Sequence, residues 1–85
     1  MTEPVAAPDP PVADVEIDTS GLLCPLPILR AKKALAGLSS GQVLCVLATD
    51  PNSIADFQAF CRQTGNALLH QQAEPPHFTH YLRRR

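Results

Sequence analysis

With 85 residues, the chain has room for one domain and one core, which hides only about 60% of the unfolded surface, so an enclosed cofactor cavity or a deep substrate cleft is not expected. Seven Lys and Arg against eight Asp and Glu give a formal charge of −1, which supplies no overall drive toward nucleic acid or a membrane surface. Three cysteines, at 24, 45 and 61, are an odd, widely spaced set unsuited to a disulfide framework. They point to free thiols in a reducing cytoplasm.

Residues 1–11 hold four of the nine prolines and almost no large apolar groups, so a disordered tail is expected ahead of a domain over 12–85. The tail also lacks the basic start and apolar run of a secretory signal, and no stretch reaches the roughly 18 apolar residues of a membrane helix. Val15 and Ile17 then alternate with Asp14, Glu16 and Asp18, the period of a half-buried strand. Thr19, Ser20 and Gly21 end it.

From Cys24 the period changes. Ile28, Ala31, Leu35 and Leu38 form one apolar stripe on a helix, with Arg30 and Lys33 off the stripe and Gly37 or Gly41 as its end. Gln42–Thr49 is nearly all apolar and reads as a central strand. Asp50-Pro51 reads as a helix start, an N-cap oxygen followed by proline at the first helical position. Ile54, Phe57, Cys61 and Thr64 give that helix its inward stripe, and Gly65 its C-terminal cap. Residues 67–73 make a third strand, Glu74-Pro75-Pro76 a turn, and Phe78, His80 and Leu82 alternate with Thr79, Tyr81 and Arg83 in a last strand. The expected fold is an α+β two-layer sandwich, β-α-β-α-β-β, with a mixed four-stranded sheet and both helices on one face. Its first two strands are expected to be parallel.

The chemistry is expected at Gly21-Leu22-Leu23-Cys24-Pro25-Leu26-Pro27-Ile28. Proline after Cys24 favours extended backbone there, as in a cap residue, and Pro25 suits the first helical position, although Pro27 disfavours helix at Leu26 and allows a start at Pro27 itself. Either start leaves the sulfur near the amides of Leu26, Ile28 or Leu29. The helix dipole, joined by Arg30 and Lys33 where they reach back, is expected to lower the thiol's pKa and hold an anion. Pro25 and Pro27 stiffen the loop that presents it. No second cysteine lies within four residues, so no local C-x-x-C redox pair exists. Asp50 is expected to cap the second helix, with a part in positioning Cys24 or a partner as the alternative. Cys45 and Cys61 are expected in the core. His77 and His80 fall on opposite strand faces, so no metal site is expected. Arg83-Arg84-Arg85 reads as a frayed basic end, or as a contact for phosphates or an acidic partner.

Cys24-Pro25-Leu26-Pro27 reads as C-P-x-P, and the chain resembles the TusA-like (SirA-like) family of small sulfur carriers. The likeness runs from the lead-in Ile17-Asp18-Thr19-Ser20-Gly21-Leu22 through the helix 27–35. It continues through Ala48-Thr49-Asp50-Pro51-Asn52-Ser53, Asp56-Phe57, Phe60–Gly65 and Tyr81-Leu82-Arg83. The resemblance implies that Cys24 carries sulfane sulfur as a persulfide, as a carrier rather than a turnover enzyme and without a cofactor. It implies a cysteine desulfurase or rhodanese-like donor and a downstream acceptor protein. Implied fates are tRNA thiolation, molybdenum-cofactor supply or sulfur oxidation. The residues alone leave open a non-catalytic regulatory or nucleic-acid-binding module, which the near-neutral charge disfavours. A monomer that does not bind nucleic acid directly is expected.

Overall fold

Val15–Thr19 forms strand β1, and its pairing extends one residue back: Asp14 exchanges backbone and carboxylate hydrogen bonds with Val43 at 2.8 and 2.7 Å. The protein is described by a computed structural model over residues 10–85, so the expected tail, but for Pro10 and Pro11, lies outside the described residues. Beyond β1 come α1 (Leu26–Ala36), β2 (Val43–Ala48), α2 (Ser53–Thr64), β3 (Ala67–Glu74) and β4 (His77–Arg83). The sheet order is β1-β2-β4-β3, with β1 parallel to β2 and β4 antiparallel to both its neighbours.

The expected β-α-β-α-β-β order and parallel first pair are as read from the sequence. Leu44 and Val46 of β2 and Leu82 of β4 share one sheet face with Ala31 and Leu35 of α1 and Phe57, Phe60 and Cys61 of α2. Both helices therefore cover that face. The helices interrupt the sheet order in a way that matters for the site. Each follows a strand of the same direction, so both begin at the end of the sheet where β1 and β2 finish.

Both helix starts differ from the sequence reading. Pro25, expected at the first helical position, is the N-cap, and α1 begins at Leu26 with Pro27 in its first turn. The cause is a tight turn in which Leu26 N–H donates to Leu23 O at 2.8 Å, holding residues 23–25 outside the helix. Asp50 is not the cap of α2 either. Asn52 is, because the Asp50 carboxylate accepts the Asn52 amide at 2.9 Å and keeps 50–52 as a turn of its own. Gly65 ends α2 as expected, in the left-handed region at φ 80°. The C-terminal arginines are not frayed. Arg84 pairs through its backbone with Gln42 and Gly41, and its Nε donates to Leu35 O at 2.8 Å, closing the carbonyl end of α1.

One polar side chain is sealed in this core. His80 stacks on Phe57 with ring centroids 4.6 Å apart. Gln71 Nε2 donates to its Nδ1 at 3.0 Å, so Nε2 carries the proton and donates to Ser53 Oγ at 2.9 Å. This neutral tautomer is fully satisfied, and burial pulls the pKa down from 6.5 to about 4. A histidine with a depressed folded pKa binds its proton more readily when unfolded, so stability is present above 6.5 and is lost as pH falls toward 4. Urea unfolding should therefore weaken by roughly 2 kcal/mol between pH 7 and pH 5. The pH dependence should flatten in His80→Gln; an equally steep profile in that variant would refute the assignment.

Candidate functional site

The loop from β1 to α1 is tied down at several points before it reaches Cys24. Thr19 Oγ1 donates to Leu47 O at 2.6 Å, and Leu22 N–H donates to Thr19 O at 3.1 Å. Gly21 donates its N–H to Thr49 Oγ1 at 2.8 Å from a left-handed backbone at φ 82°, a conformation that favours glycine. Cys24 N–H then donates to Asp50 Oδ2 at 2.8 Å. Asp50 is 2% exposed, and its other oxygen holds Asn52. One buried carboxylate thus joins the Cys24 loop to the entry of α2. The Cys24 side chain itself is exposed. Its backbone is fixed while its sulfur meets solvent at the joint between two helix N-termini.

The electrostatics at the sulfur run against the sequence expectation. The Cys24 thiol is not lowered; it is pushed up from 9.0, first by a hydrogen bond to the Asp56 carboxylate, then by desolvation and by the negative charges of Asp56 and Asp50. The amides expected to help are largely engaged: Leu26 N–H bonds Leu23 O, and Leu29 N–H bonds Pro25 O at 3.1 Å. Arg30 and Lys33 do not reach back. They line a shallow groove of about 700 Å³ with Ile17, Ala34 and Gly37, along the β1 side of α1. The structure brings Cys24 and Asp50 together through the backbone amide and places the two cations along the groove instead.

Residues 15–84 match the family described as Sulfurtransferase TusA. The chain belongs to the TusA family. A sulfur carrier protein TusA of Allochromatium vinosum is 61% identical over 69 residues, covering 81% of this chain and 90% of the relative. Another, from Pseudomonas syringae pv. syringae, is 34% identical over 85 residues, covering 100% of this chain and 98% of the relative. The crystal structure of a SirA-like protein from Desulfitobacterium hafniense superposes with a TM-score of 0.71 at 30% identity, covering 81% of this chain and 95% of that one.

The other two cysteines sit apart from Cys24. Cys61 lies in the core under α2, where burial pushes its pKa up to about 11. Cys45 lies on the sheet face away from the helices, opposite Tyr81, and burial raises it too. Neither is placed as a resolving thiol. Among the described residues, no group of three or more His, Cys, Asp or Glu is arranged to hold a metal. No helix among them is long and apolar enough to cross a membrane.

Two features of the site were missed by sequence reasoning. Leu23, Leu26 and Leu29 are 68%, 45% and 52% exposed and make an apolar collar beside the sulfur. The available signal was Leu26 and Leu29, three residues apart at the start of the expected helix and off its inward stripe, with Leu23 in the loop before them. Asp56 was quoted in the resemblance without a role. Parallel pairing of the first two strands puts both helix starts at one end of the sheet. A first-turn carboxylate on the second helix should therefore have been weighed against Cys24.

Proposed function

We propose that this protein is a sulfur carrier that accepts sulfane sulfur as a persulfide on Cys24 and hands it to an acceptor protein. The observation that carries the proposal is an exposed sulfur on a backbone pinned by the Asp50 carboxylate, in a chain of the TusA family. The attacking Sγ bonds to the outer sulfur of a donor persulfide, the donor S–S bond breaks, and its electron pair and the Cys24 proton end on the donor thiol. Atoms and charge balance without an external oxidant. Pro25 and Pro27 support the loop by limiting its backbone freedom.

The donor is a cysteine desulfurase or rhodanese-like protein, and the acceptor serves tRNA thiolation, molybdenum-cofactor supply or sulfur oxidation. Both partners must approach the same sulfur, and the Leu23, Leu26 and Leu29 collar offers the apolar surface that such a contact buries. α1 carries Arg30, Lys32 and Lys33 and no acidic residue, which suits a partner with an acidic rim. The free thiols fit a reducing cytoplasm.

The test is intact mass after incubation with a cysteine desulfurase and cysteine, without reductant. A one-sulfur adduct is expected in the parent chain, and Cys24→Ala should lose it completely. The buried Cys45 and Cys61 should stay unmodified in both. An adduct that persists in Cys24→Ala would remove Cys24 from the carrier role.

A further inference from the structure

A second concave surface lies at the far end of the domain from Cys24. Both helices begin on the Cys24 side of the sheet, so their C-termini meet at the opposite end, roughly 15 Å away along α1. There the last turns of α1 and α2 and the chain leaving β4 enclose a cleft of about 570 Å³. Leu35 and Phe60 form its floor, and Lys32, Arg84 and Arg85 its rim. Among the described residues, no carboxylate lines it. Lys32 thus faces away from Arg30 and Lys33, which line the groove on the β1 side of α1.

The groups around the cleft divide into those already bonded and those left to meet a ligand. Thr64 Oγ1 donates to Phe60 O at 2.8 Å and accepts from Asn66 Nδ2 at 2.9 Å, and Asn66 Oδ1 accepts the Arg85 N–H at 3.0 Å. Arg84 is spent on Leu35 O at 2.8 Å and Arg85 O at 3.3 Å. These bonds tie the chain after β4 to both helix ends and make a fixed wall. What remains is the exposed Lys32 ammonium and the exposed Arg85 guanidinium, groups that only donate hydrogen bonds. Arg85 lies over the end of α2, its Cδ and Nη1 within 3.4 and 3.6 Å of the point where a Cβ on Gly65 would sit. The carbonyl ends of two helices oppose an anion here, each with about half a negative charge. Arg84 answers the end of α1, and Arg62, in the last turn of α2, answers the other. The charges of Lys32 and Arg85 are therefore left over.

We propose that this cleft is a docking site for an acidic segment of a partner protein, whose carboxylates pair with Lys32 and Arg85. Charge complementarity selects the class of occupant. A nucleic acid needs cations spaced along its backbone and, when single-stranded, exposed aromatic faces for its bases. The cleft offers two unspent cations in one place, and its aromatic ring, Phe60, is buried. A compact pair of Asp or Glu side chains matches that arrangement, and the arginine fork takes a carboxylate through two parallel bonds. The site lies apart from the carrier chemistry and needs none of it. A partner held there leaves the sulfur and the leucine collar open.

The experiment titrates the isotope-labelled full chain with a capped hexaglutamate peptide and follows backbone amide shifts by NMR. The salt is held at about 0.1 M, where exposed charges more than about 10 Å apart are largely screened. A second arm uses oligoadenylate RNA of matched charge. The amides of Lys32, Gln63, Asn66 and Arg85 should shift with the peptide. Lys32→Gln combined with Arg85→Gln should weaken peptide binding roughly fivefold or more. Arg30→Gln combined with Lys33→Gln removes the same charge from the other groove and should weaken it less than about twofold. Shifts centred on Arg30 and Lys33, equal losses in the two double variants, or no shift at millimolar peptide would overturn the site. RNA that moves the same amides at lower concentration would overturn the choice of a protein partner. Lys32→Gln alone, an exposed change on α1, is the second variant should the double variant lose its dispersed spectrum, and unchanged peptide binding in it would also overturn the site. Cys24→Ala should bind the peptide as the parent does, so the carrier reading and this one fail separately.

Discussion

Phe57→Ala should cost about 3–5 kcal/mol in urea unfolding, the range for removing a fully buried aromatic side chain from a core. Phe57 has no exposed surface and is the hub of the aromatic packing. It meets Phe60 edge to face at 6.4 Å and 82°, and lies stacked on His80 at 4.6 Å. Truncation would remove the ring's contacts with both and open a void between α2 and the sheet, where His80 has no means of following without leaving Ser53 and Gln71. A domain of this length has a total stability of roughly 4–13 kcal/mol, so the substitution should remove between about a quarter and all of it. Phe57→Leu keeps most of the volume and should cost much less, roughly 1–2 kcal/mol. A loss below about 1 kcal/mol for Phe57→Ala would mean that the core collapses onto the site and that the stacking with His80 is incidental. Because Asp56 and Asn52 belong to the same helix entry, a loosened α2 should also release the Cys24 loop before global unfolding.

What was legible in the sequence is what depends on periodic burial. The Ala31 and Leu35 stripe, the apolar run of β2 and the Phe78, His80 and Leu82 alternation all predicted their elements, because each records a face turned to the core. What was not legible depends on single hydrogen bonds across long sequence separations. Asp50 carries a strong helix-cap signal, and a local reading gives it that role first, with the positioning of Cys24 only as the alternative. The competing partner, the Cys24 amide, is 26 residues away and becomes visible only once β1 and β2 are paired. The end of the chain misled for the same reason: three arginines look solvated until the carbonyl of Leu35 is found beside Arg84. The sign of the thiol shift was misjudged because sequence distance made Arg30 and Lys33 look near and Asp56 look far, whereas the fold reverses the order. β3 adds an irregularity between Leu68 and His70, where its pairing with β4 slips, and no residue pattern announces it.

Asp50→Ala should separate two properties that a general loss of structure would lower together. The carboxylate is buried and accepts from Cys24 N–H and Asn52 N–H at 2.8 and 2.9 Å. Removing it leaves two amides without partners beside a buried cavity, which should cost roughly 2–4 kcal/mol of stability. With its backbone anchor gone, the Cys24 loop would no longer hold Sγ at one place relative to α2. Sulfur transfer from a protein donor needs the two sulfurs aligned in a docked complex, and misplacement of about 1 Å is enough to slow a positioned reaction by up to a hundredfold. Transfer from a desulfurase should therefore fall at least about tenfold. Alkylation by a small reagent should move the other way. Iodoacetamide needs no docking geometry, and one of the negative charges that disfavour the thiolate is gone, so its rate at neutral pH should hold or rise. Asp50→Asn keeps one acceptor oxygen and should lie between the parent and alanine in both assays. Were transfer and alkylation to fall by the same factor, Asp50 would act only by holding the fold together, and the positioning of Cys24 would have to come from the turn at Leu23 and Leu26 alone.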